Sequence, residues 1–356
     1  MAVAASTDGM PLTRLPHART LSAVRAWLTI LAALVVLMVA VGGATRLTGS
    51  GLSITEWKPV TGAIPPLTEQ AWMAEFEKYR QISQYELVNK GMTLSEFKFI
   101  YGWEWGHRQL GRLIGLVFFL PLVWFWVRGV IGGRLALTLL AIGALGGLQA
   151  AVGWIMVASG LEPGMTAVAP IKLTLHLTIA SIILACLVWV AAGLKERPET
   201  IREQGLGSGA SRILAGLVLL QIALGGLVAG SKAGLTYNTW PLMDGALVPP
   251  ASALFVVRPW IENFVDNVAL VQFNHRMVAY AIVAFAIWHA VSLGRTAAAS
   301  PAARRARALA GLTLAQMTLG IVTLLLVVPL WAGLAHQVFA MAVLAMAVAH
   351  ARLSCS

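Results

Sequence analysis

The sequence predicts an all-α integral membrane protein whose eight transmembrane helices form two pseudo-symmetric four-helix bundles. Its 356 residues are 58% hydrophobic and only 12% charged, with a mean hydropathy of +0.77, whereas soluble domains carry roughly 25% charged residues. Apolar stretches of about 20 residues, the length that crosses a bilayer, recur along the chain. A repeated set of motifs, described below, predicts the two halves.

The apolar stretches define the predicted membrane spans. They cover about residues 26–46, 108–127, 135–157, 173–193, 212–230, 269–291, 307–328 and 332–351. We therefore predict an N-terminal tail (1–25), a first four-helix half (26–193), a linker (194–211) and a second four-helix half (212–351). The tail shows no cleavable signal pattern, so the first span is expected to act as the insertion signal.

The net charge of +11 follows membrane topology rather than a nucleic-acid-binding face. If both termini are cytoplasmic, fourteen basic residues fall on the inner side, as the positive-inside rule expects. They are Arg14, Arg19, Arg25, Arg128, Arg134, Lys195, Arg197, Arg202, Arg212, Arg295, Arg304, Arg305, Arg307 and Arg352. The lipid bilayer is therefore the expected partner, and nucleic acid is not.

Motifs of the first half recur in the second. With a constant offset of 183 residues, the first set is Gly42-Gly43, Gly51-Leu52, Trp57, Gly62-Ala63 and Pro66, and the second is Gly225-Gly226, Gly234-Leu235, Trp240, Gly245-Ala246 and Pro249. Further on, His107-Arg108, Gln149-x-x-x-Gly153 and His176 match His275-Arg276, Gln316-x-x-x-Gly320 and His336. Such regular matches indicate an internal duplication. Since four spans return the chain to its starting side, the halves are expected to be parallel.

Four histidines lie at matching depth near the outer start of the even-numbered spans: His107, His176, His275 and His336. Ionisable residues within a membrane are costly and indicate function, and two imidazoles facing each other across a bundle suit axial ligation of haem iron. The residue four positions on is always small, which leaves room for a flat macrocycle; these residues are Gly111, Ala180, Ala279 and Ala340. The pattern predicts two haem sites, against the alternative of hydrogen-bonded packing residues.

Four arginines lie on the predicted outer side, against the topological bias: Arg46, Arg108, Arg112 and Arg276. A guanidinium group binds a carboxylate through two parallel hydrogen bonds, so haem propionates are the expected partners. The alternative is that these side chains reach the lipid headgroups.

The two halves differ in one ionisable group. Glu104 precedes His107 by three residues on the same helix face, whereas the corresponding residue of the second half is Gln272. This difference predicts proton-coupled chemistry in the first half, while the second carries electrons or stabilises the fold. The structural alternative is a carboxylate paired with Arg108 or Arg46.

These residues also carry a resemblance to haem A synthases. It rests on Gly-Ala-Thr-Arg-Leu-Thr-x-Ser-Gly-Leu-Ser at 43–53, Trp-Lys-Pro at 57–59, Glu-Trp-Gly-His-Arg-Gln-Leu-Gly-Arg at 104–112, Phe-Asn-His-Arg at 273–276 and Ala-His-Gln at 335–337. It covers about residues 25–351. One branch of that family has a cysteine pair in its first outer loop. This chain has only Cys186 and Cys355, and so resembles the proteobacterial and mitochondrial branch.

The resemblance implies the reaction and the roles of the sites. A ring methyl group of haem O would be hydroxylated twice, and the resulting diol would lose water to give the formyl group of haem A. Haem O would lie near Glu104, His107 and His176 as catalytic residues, and a resident haem b would lie on His275 and His336. The implied location is the bacterial inner membrane, with the haem sites toward the periplasm. Implied partners are haem O synthase, cytochrome oxidase assembly factors and an electron donor, and a homo-oligomer stays open.

Two other classes of function stay open at this point. His289 follows His275 by 14 residues, and His350 follows His336 by 14, which is about 21 Å along a helix. Stacked haems of a multi-haem b-type electron carrier would use that spacing, although aromatic polar rings are also ordinary at the inner interface. A transporter with parallel repeats is the third class, and it would be colourless.

Overall fold

The computed structural model describes residues 14–194 and 207–355, with side chains from residue 21 onward. Its eight long helices are Arg14–Leu47, Leu94–Val127, Gly133–Gly160, Pro170–Gly193, Ser208–Gly230, Val268–Ala297, Pro301–Leu325 and Leu330–Ser354, here the first to eighth membrane helices. Each is long and apolar enough to cross a membrane, so the predicted fold class is confirmed. Much of the predicted tail and linker, with Lys195, Arg197 and Arg202, lies outside the described residues.

The second membrane helix begins well before the predicted residue 108, at Leu94. Thr93 caps it, and the side chain of Glu96 accepts a hydrogen bond from the Thr93 backbone in return, a pairing that satisfies two free N–H groups of the first turn. Phe97 and Tyr101 of the extra turns are buried in an aromatic cluster of the first outer loop. Polar residues in these turns hide the helix from a hydropathy pattern, because the turns pack against a loop and not against lipid.

Contacts between helices follow the duplication. The first helix packs against the second and fourth, and the fifth packs against the sixth and eighth. The halves meet at two interfaces, one between the fourth and fifth helices and one between the eighth and first. The duplication relates these two interfaces to each other. The fourth and eighth helices also touch at the centre. Central leucines such as Leu28, Leu184, Leu214 and Leu344 are almost fully buried.

Two glycines let the halves approach closely. A Cβ atom on Gly43 of the first helix would lie 2.6 Å from the side chain of Gln337 on the eighth, and one on Gly226 of the fifth would lie 3.1 Å from Thr174 on the fourth. The Gln337 amide also donates to the carbonyl oxygen of Val39 at 2.9 Å. Gly43 and Gly226 are equivalent in the duplication, so a glycine lies at the same place in both interfaces between the halves.

The two long outer loops fold over the second helix of each half. The first contains the helices Glu69–Arg80 and Ser83–Leu87, and the second contains Ala251–Leu254 and Asn263–Asp266. In the first loop, Glu56 lies 2.6 Å from Lys58 and 2.7 Å from Lys78. Hydrogen bonds from these two lysines lower the pKa of Glu56 to about 2, so the Glu56 carboxylate is charged at neutral pH.

Candidate haem sites

Each of the four predicted histidines packs against a glycine of the preceding membrane helix. The pairs are Gly42 with His107, Gly153 with His176, Gly225 with His275, and Gly320 with His336. A Cβ atom built on these glycines would lie between 2.7 and 3.2 Å from the nearest imidazole atom. That is closer than two carbon atoms normally approach. A side chain at Gly153 or Gly320 would therefore displace the ring, and one at Gly42 or Gly225 would press against it.

Glutamines one turn before the glycine hold three of the four histidines. The side-chain amides of Gln149, Gln221 and Gln316 donate to the backbone carbonyl oxygens of His176, His275 and His336 at 3.0, 2.9 and 2.9 Å. The equivalent residue of the first helix is Met38. The motif Gln-x-x-x-Gly at 221–225 was not among the predicted repeats, although its spacing is visible beside the other two.

The second half holds its imidazole rings more firmly than the first. The amide nitrogens of Gln221 and Gln316 lie 3.1 Å from Nδ1 of His275 and of His336. In the first half, Nδ1 of His176 is buried without a hydrogen-bond partner. Within the described part of the chain, no hydrogen bond reaches the ring of His107. The second-half rings are therefore held by hydrogen bonds from glutamine side chains, and the first-half rings are not.

The four imidazoles form two pairs, one in each half. His107 and His176 are close enough to interact electrostatically, as are His275 and His336. All four side chains are half-buried, and imidazole is a common axial ligand of haem iron. A buried nitrogen without a partner, such as His176 Nδ1, costs free energy unless something binds there. One pair in each half thus provides the donors that a haem requires.

The inner histidines do not form such a site. His289 and His350 are 2% and 0% exposed, so both side chains are packed inside the protein. Their Nε2 atoms lie 2.9 Å apart and hydrogen-bond directly. Since a metal–imidazole bond is about 2.0–2.1 Å long, nitrogens on opposite sides of one metal lie about 4 Å apart. The inner pair therefore lacks the spacing of two axial ligands, which weakens the stacked-haem alternative.

Glu104 is 3% exposed and ties the first outer loop to the second helix. It accepts hydrogen bonds from the Ser53 hydroxyl at 2.7 Å and the Ile54 backbone N–H at 2.9 Å. Arg108 binds its other oxygen at 2.7 Å and also donates to the Ile54 carbonyl oxygen at 3.0 Å. The predicted pairing with Arg108 is present, so Glu104 has at least a structural part.

Gln272 does the same for the second loop. Its amide donates to the carbonyl oxygens of Ala233 and Thr236, both at 2.7 Å, and its oxygen accepts from Arg276 at 2.9 Å. Arg276 also donates to the Tyr237 carbonyl oxygen at 2.7 Å. The halves thus share one loop anchor, and they differ in that the first has a carboxylate where the second has a neutral amide.

The arginines predicted to bind propionates differ in how many hydrogen bonds their guanidinium groups already make to protein oxygens. Arg108 and Arg276 donate to loop carbonyl oxygens as described, and Arg112 donates to those of Pro59 and Lys58. Arg46 is half-buried, and its guanidinium group makes no hydrogen bond or ion pair within the described residues. Of the four, Arg46 is therefore the most available to a carboxylate ligand.

Comparison with known proteins agrees with this arrangement. The pattern of the cytochrome oxidase assembly protein family, COX15-CtaA, matches residues 25–348. The chain belongs to this family. A protein named Heme A synthase from Methylobacterium sp. (strain 4-46) is 68% identical over 331 residues, covering 93% of this chain and 92% of that one.

More distant members of the COX15-CtaA family are similar over the same length. Proteins named Heme A synthase from Beijerinckia indica subsp. indica and from Brucella ovis are 53% and 51% identical, and each alignment covers 92% of this chain. The coverage of those two proteins is 92% and 91% of their own lengths. The likeness thus spans both halves and all eight membrane helices.

A glycine substitution tests the seating of the histidines in this COX15-CtaA family member. We expect Gly320→Ala to displace the His336 ring, because the new Cβ would lie 2.7 Å from its Cε1. Disturbing a contact that orients a metal ligand typically weakens binding roughly 10- to 100-fold. The haem content and low-spin spectrum of purified protein measure the effect.

Gly311 is the matched control, because it lies on the same helix with nothing within 4 Å of its added Cβ. Gly311→Ala should keep its haem and gain about 1 kcal/mol in helix propensity. Equal haem content in both variants would show that the glycine contact does not position the ring.

Proposed function

We propose that the chain is a haem A synthase, an oxidoreductase that converts a ring methyl group of haem O to the formyl group of haem A. The observation that carries the proposal is a pair of imidazoles in each half, with a buried carboxylate in one half only. Two equal sites would suit an electron carrier, whereas one altered site suits chemistry on a haem. The names of the similar proteins and the COX15-CtaA family membership support the same activity.

The first half takes haem O as substrate, and the second half keeps a haem b as cofactor. Hydrogen bonds to the imidazole rings support this division, because the side chains of Gln221 and Gln316 hold the rings of His275 and His336. A resident group gains from fixed ligands, whereas a substrate has to enter and leave. His107 and His176, whose rings have no such bonds, are suited to a haem that exchanges.

When bound, the resident haem supplies one-electron transfer. The remaining tasks belong to side chains of this chain. The half-buried Arg46 binds a propionate and sets the orientation of the substrate ring. The glycine contacts of Gly42 and Gly153 place the two imidazoles. Glu104 exchanges a proton beside the substrate, a role that an amide at the same position cannot fill.

The partners follow from the chemistry of the substrate and the product. A haem O synthase supplies the substrate, and cytochrome oxidase and its assembly factors consume haem A. The electrons come from a donor on the membrane surface or within the bilayer. The direct test uses membranes that contain the protein, supplied with haem O, a reductant and oxygen. Haem A should accumulate, and chromatographically unchanged haem O would overturn the proposed function.

The protein is a multi-pass inner-membrane protein, and we propose that both termini are cytoplasmic. Five basic residues on the predicted outer side are paired with carboxylates in the first outer loop or the adjoining helix: Lys58, Lys78, Arg80, Lys90 and Arg108. Long loops cross the membrane largely regardless of their charge, so the basic residues predicted on the inner side decide the orientation.

Reporter tags test this orientation. We expect tags at residue 2 and after Ser356 to report the cytoplasm, and a tag between residues 78 and 92 to report the periplasm. A cytoplasmic signal from that loop would reverse the orientation and place both haem sites on the inner side.

A further inference from the structure

We infer that Met38 is a positioning residue that lets His107 detach from iron, so that the substrate haem is held by His176 and is open to a small ligand on its other face. The inference rests on the proposed function, in which the first half binds haem O. It answers a question that the histidine pattern leaves open, namely whether both first-half imidazoles stay bound to iron.

Four positions in the two halves are equivalent. At each, a glycine packs against a histidine ring, and a further residue precedes that glycine by one helical turn. Three of these residues are glutamines that donate to the histidine carbonyl oxygen at 2.9–3.0 Å. The fourth is Met38, which precedes Gly42 by four residues and is the counterpart of Gln221 at the constant offset of 183.

Met38 cannot do what the glutamines do. Its thioether has no hydrogen-bond donor, and within the described residues no side chain donates to the carbonyl oxygen of His107. The turn that carries His107 therefore lacks the cross-helix bond that the other three histidines share. Loss of such an orienting bond weakens a metal ligand roughly 10- to 100-fold.

A second change accompanies the first. The Met38 methyl group lies 3.2 Å from where a Cβ atom on Gly111 would be, one turn from His107 on the second helix. The residue equivalent to Gly111 in the second half is Ala279. The first half thus has a methionine against a glycine, whereas the equivalent positions of the second half hold Gln221 and an alanine. The small Gly111 leaves room for the Met38 methyl group, so Met38 is accommodated in the packing of the first half.

The chemical consequence differs between the halves. A haem bound by two fixed imidazoles has no free iron position and is suited to carry electrons. A haem that takes part in oxygen chemistry needs one position that a small ligand can occupy. His107 is the histidine with the weakest hold, and it lies on the helix that carries Glu104. The reacting face is therefore the one toward the second helix.

Carbon monoxide is the probe, because it binds ferrous haem only where an axial position can open. We expect the ferrous first-half haem of the wild-type protein to bind carbon monoxide and the second-half haem to resist it. Met38→Gln should slow this binding roughly 10- to 100-fold, while chromatography shows haem O still present. Unchanged carbon monoxide kinetics in Met38→Gln with its haem O retained would overturn the inference.

The reciprocal variant keeps the test decisive if Met38→Gln loses its haem. Gln221→Met removes the equivalent bond to His275 and should make the second-half haem reactive toward carbon monoxide by a similar factor. A second-half haem that stays unreactive in Gln221→Met would equally contradict the role of this position. Failure of the proposed function looks different, since haem O would then be absent from the wild-type protein before any carbon monoxide is added.

Discussion

Glu104→Gln is expected to reduce the formation of haem A about 100- to 10,000-fold, the usual effect of losing a group that transfers a proton in the reaction. Haem O or a hydroxylated intermediate should accumulate in its place, while the resident haem b stays bound. The physical reason is that an amide keeps the size of the side chain but cannot exchange a proton. The products formed per bound haem O, separated by chromatography, measure the effect.

The loop anchor formed by Glu104 requires its own control, because an amide also weakens the bonds to Ser53, Ile54 and Arg108. Ser53→Ala removes the hydroxyl that lies 2.7 Å from the carboxylate and leaves the charge in place. It should reduce activity far less than Glu104→Gln. Gln272→Glu, the reverse change in the second half, should also have little effect on product formation. Equal losses in Glu104→Gln and Ser53→Ala would make Glu104 a loop anchor only.

His275→Ala or His336→Ala is expected to strip the resident haem from the purified protein. Each change removes an iron ligand outright, so the loss should exceed the roughly 10- to 100-fold effect of an orienting partner. The low-spin absorbance should disappear with it. Haem B content per protein, measured by extraction after purification, gives the result directly.

His289→Ala is the control for those variants, because it also removes a buried imidazole from the sixth helix. It breaks the 2.9 Å bond to His350 and should reduce stability while leaving the haem spectrum unchanged. A low-spin spectrum that survives in both His275→Ala and His336→Ala would remove this pair as the ligands of the resident haem.

The membrane spans and the equivalent placement of the four outer histidines could be predicted because each rests on a strong local pattern. Twenty apolar residues in a row have few explanations other than lipid. Histidines such as His107 and His275, placed at matching depth in a duplication, define equivalent positions without any coordinates. The pairing of halves through the first, fourth, fifth and eighth helices then follows from the same duplication.

Features that depend on tertiary contacts could not be predicted from the sequence. The start of the second helix at Leu94 depends on packing against the outer loop, which hydropathy does not record. The burial of His289 and His350 depends on side-chain contacts between helices, such as their 2.9 Å hydrogen bond, and the spacing of residues along one helix does not record such contacts. The part that Glu104 takes in holding Ser53 became visible only when the loop was placed. The positions of the three glutamines and Met38 could have been noticed in the sequence, because each precedes a repeated glycine by four residues.

The most direct test of the division between the halves is anaerobic extraction and chromatography of the haems from purified protein. Wild-type protein should contain haem B together with haem O or haem A. The double variant His107→Ala, His176→Ala should keep its haem B and lose the other haems, because only the substrate site has been changed. Loss of haem B from that variant, with haem O or haem A retained, would contradict the assignment of substrate to the first half and cofactor to the second.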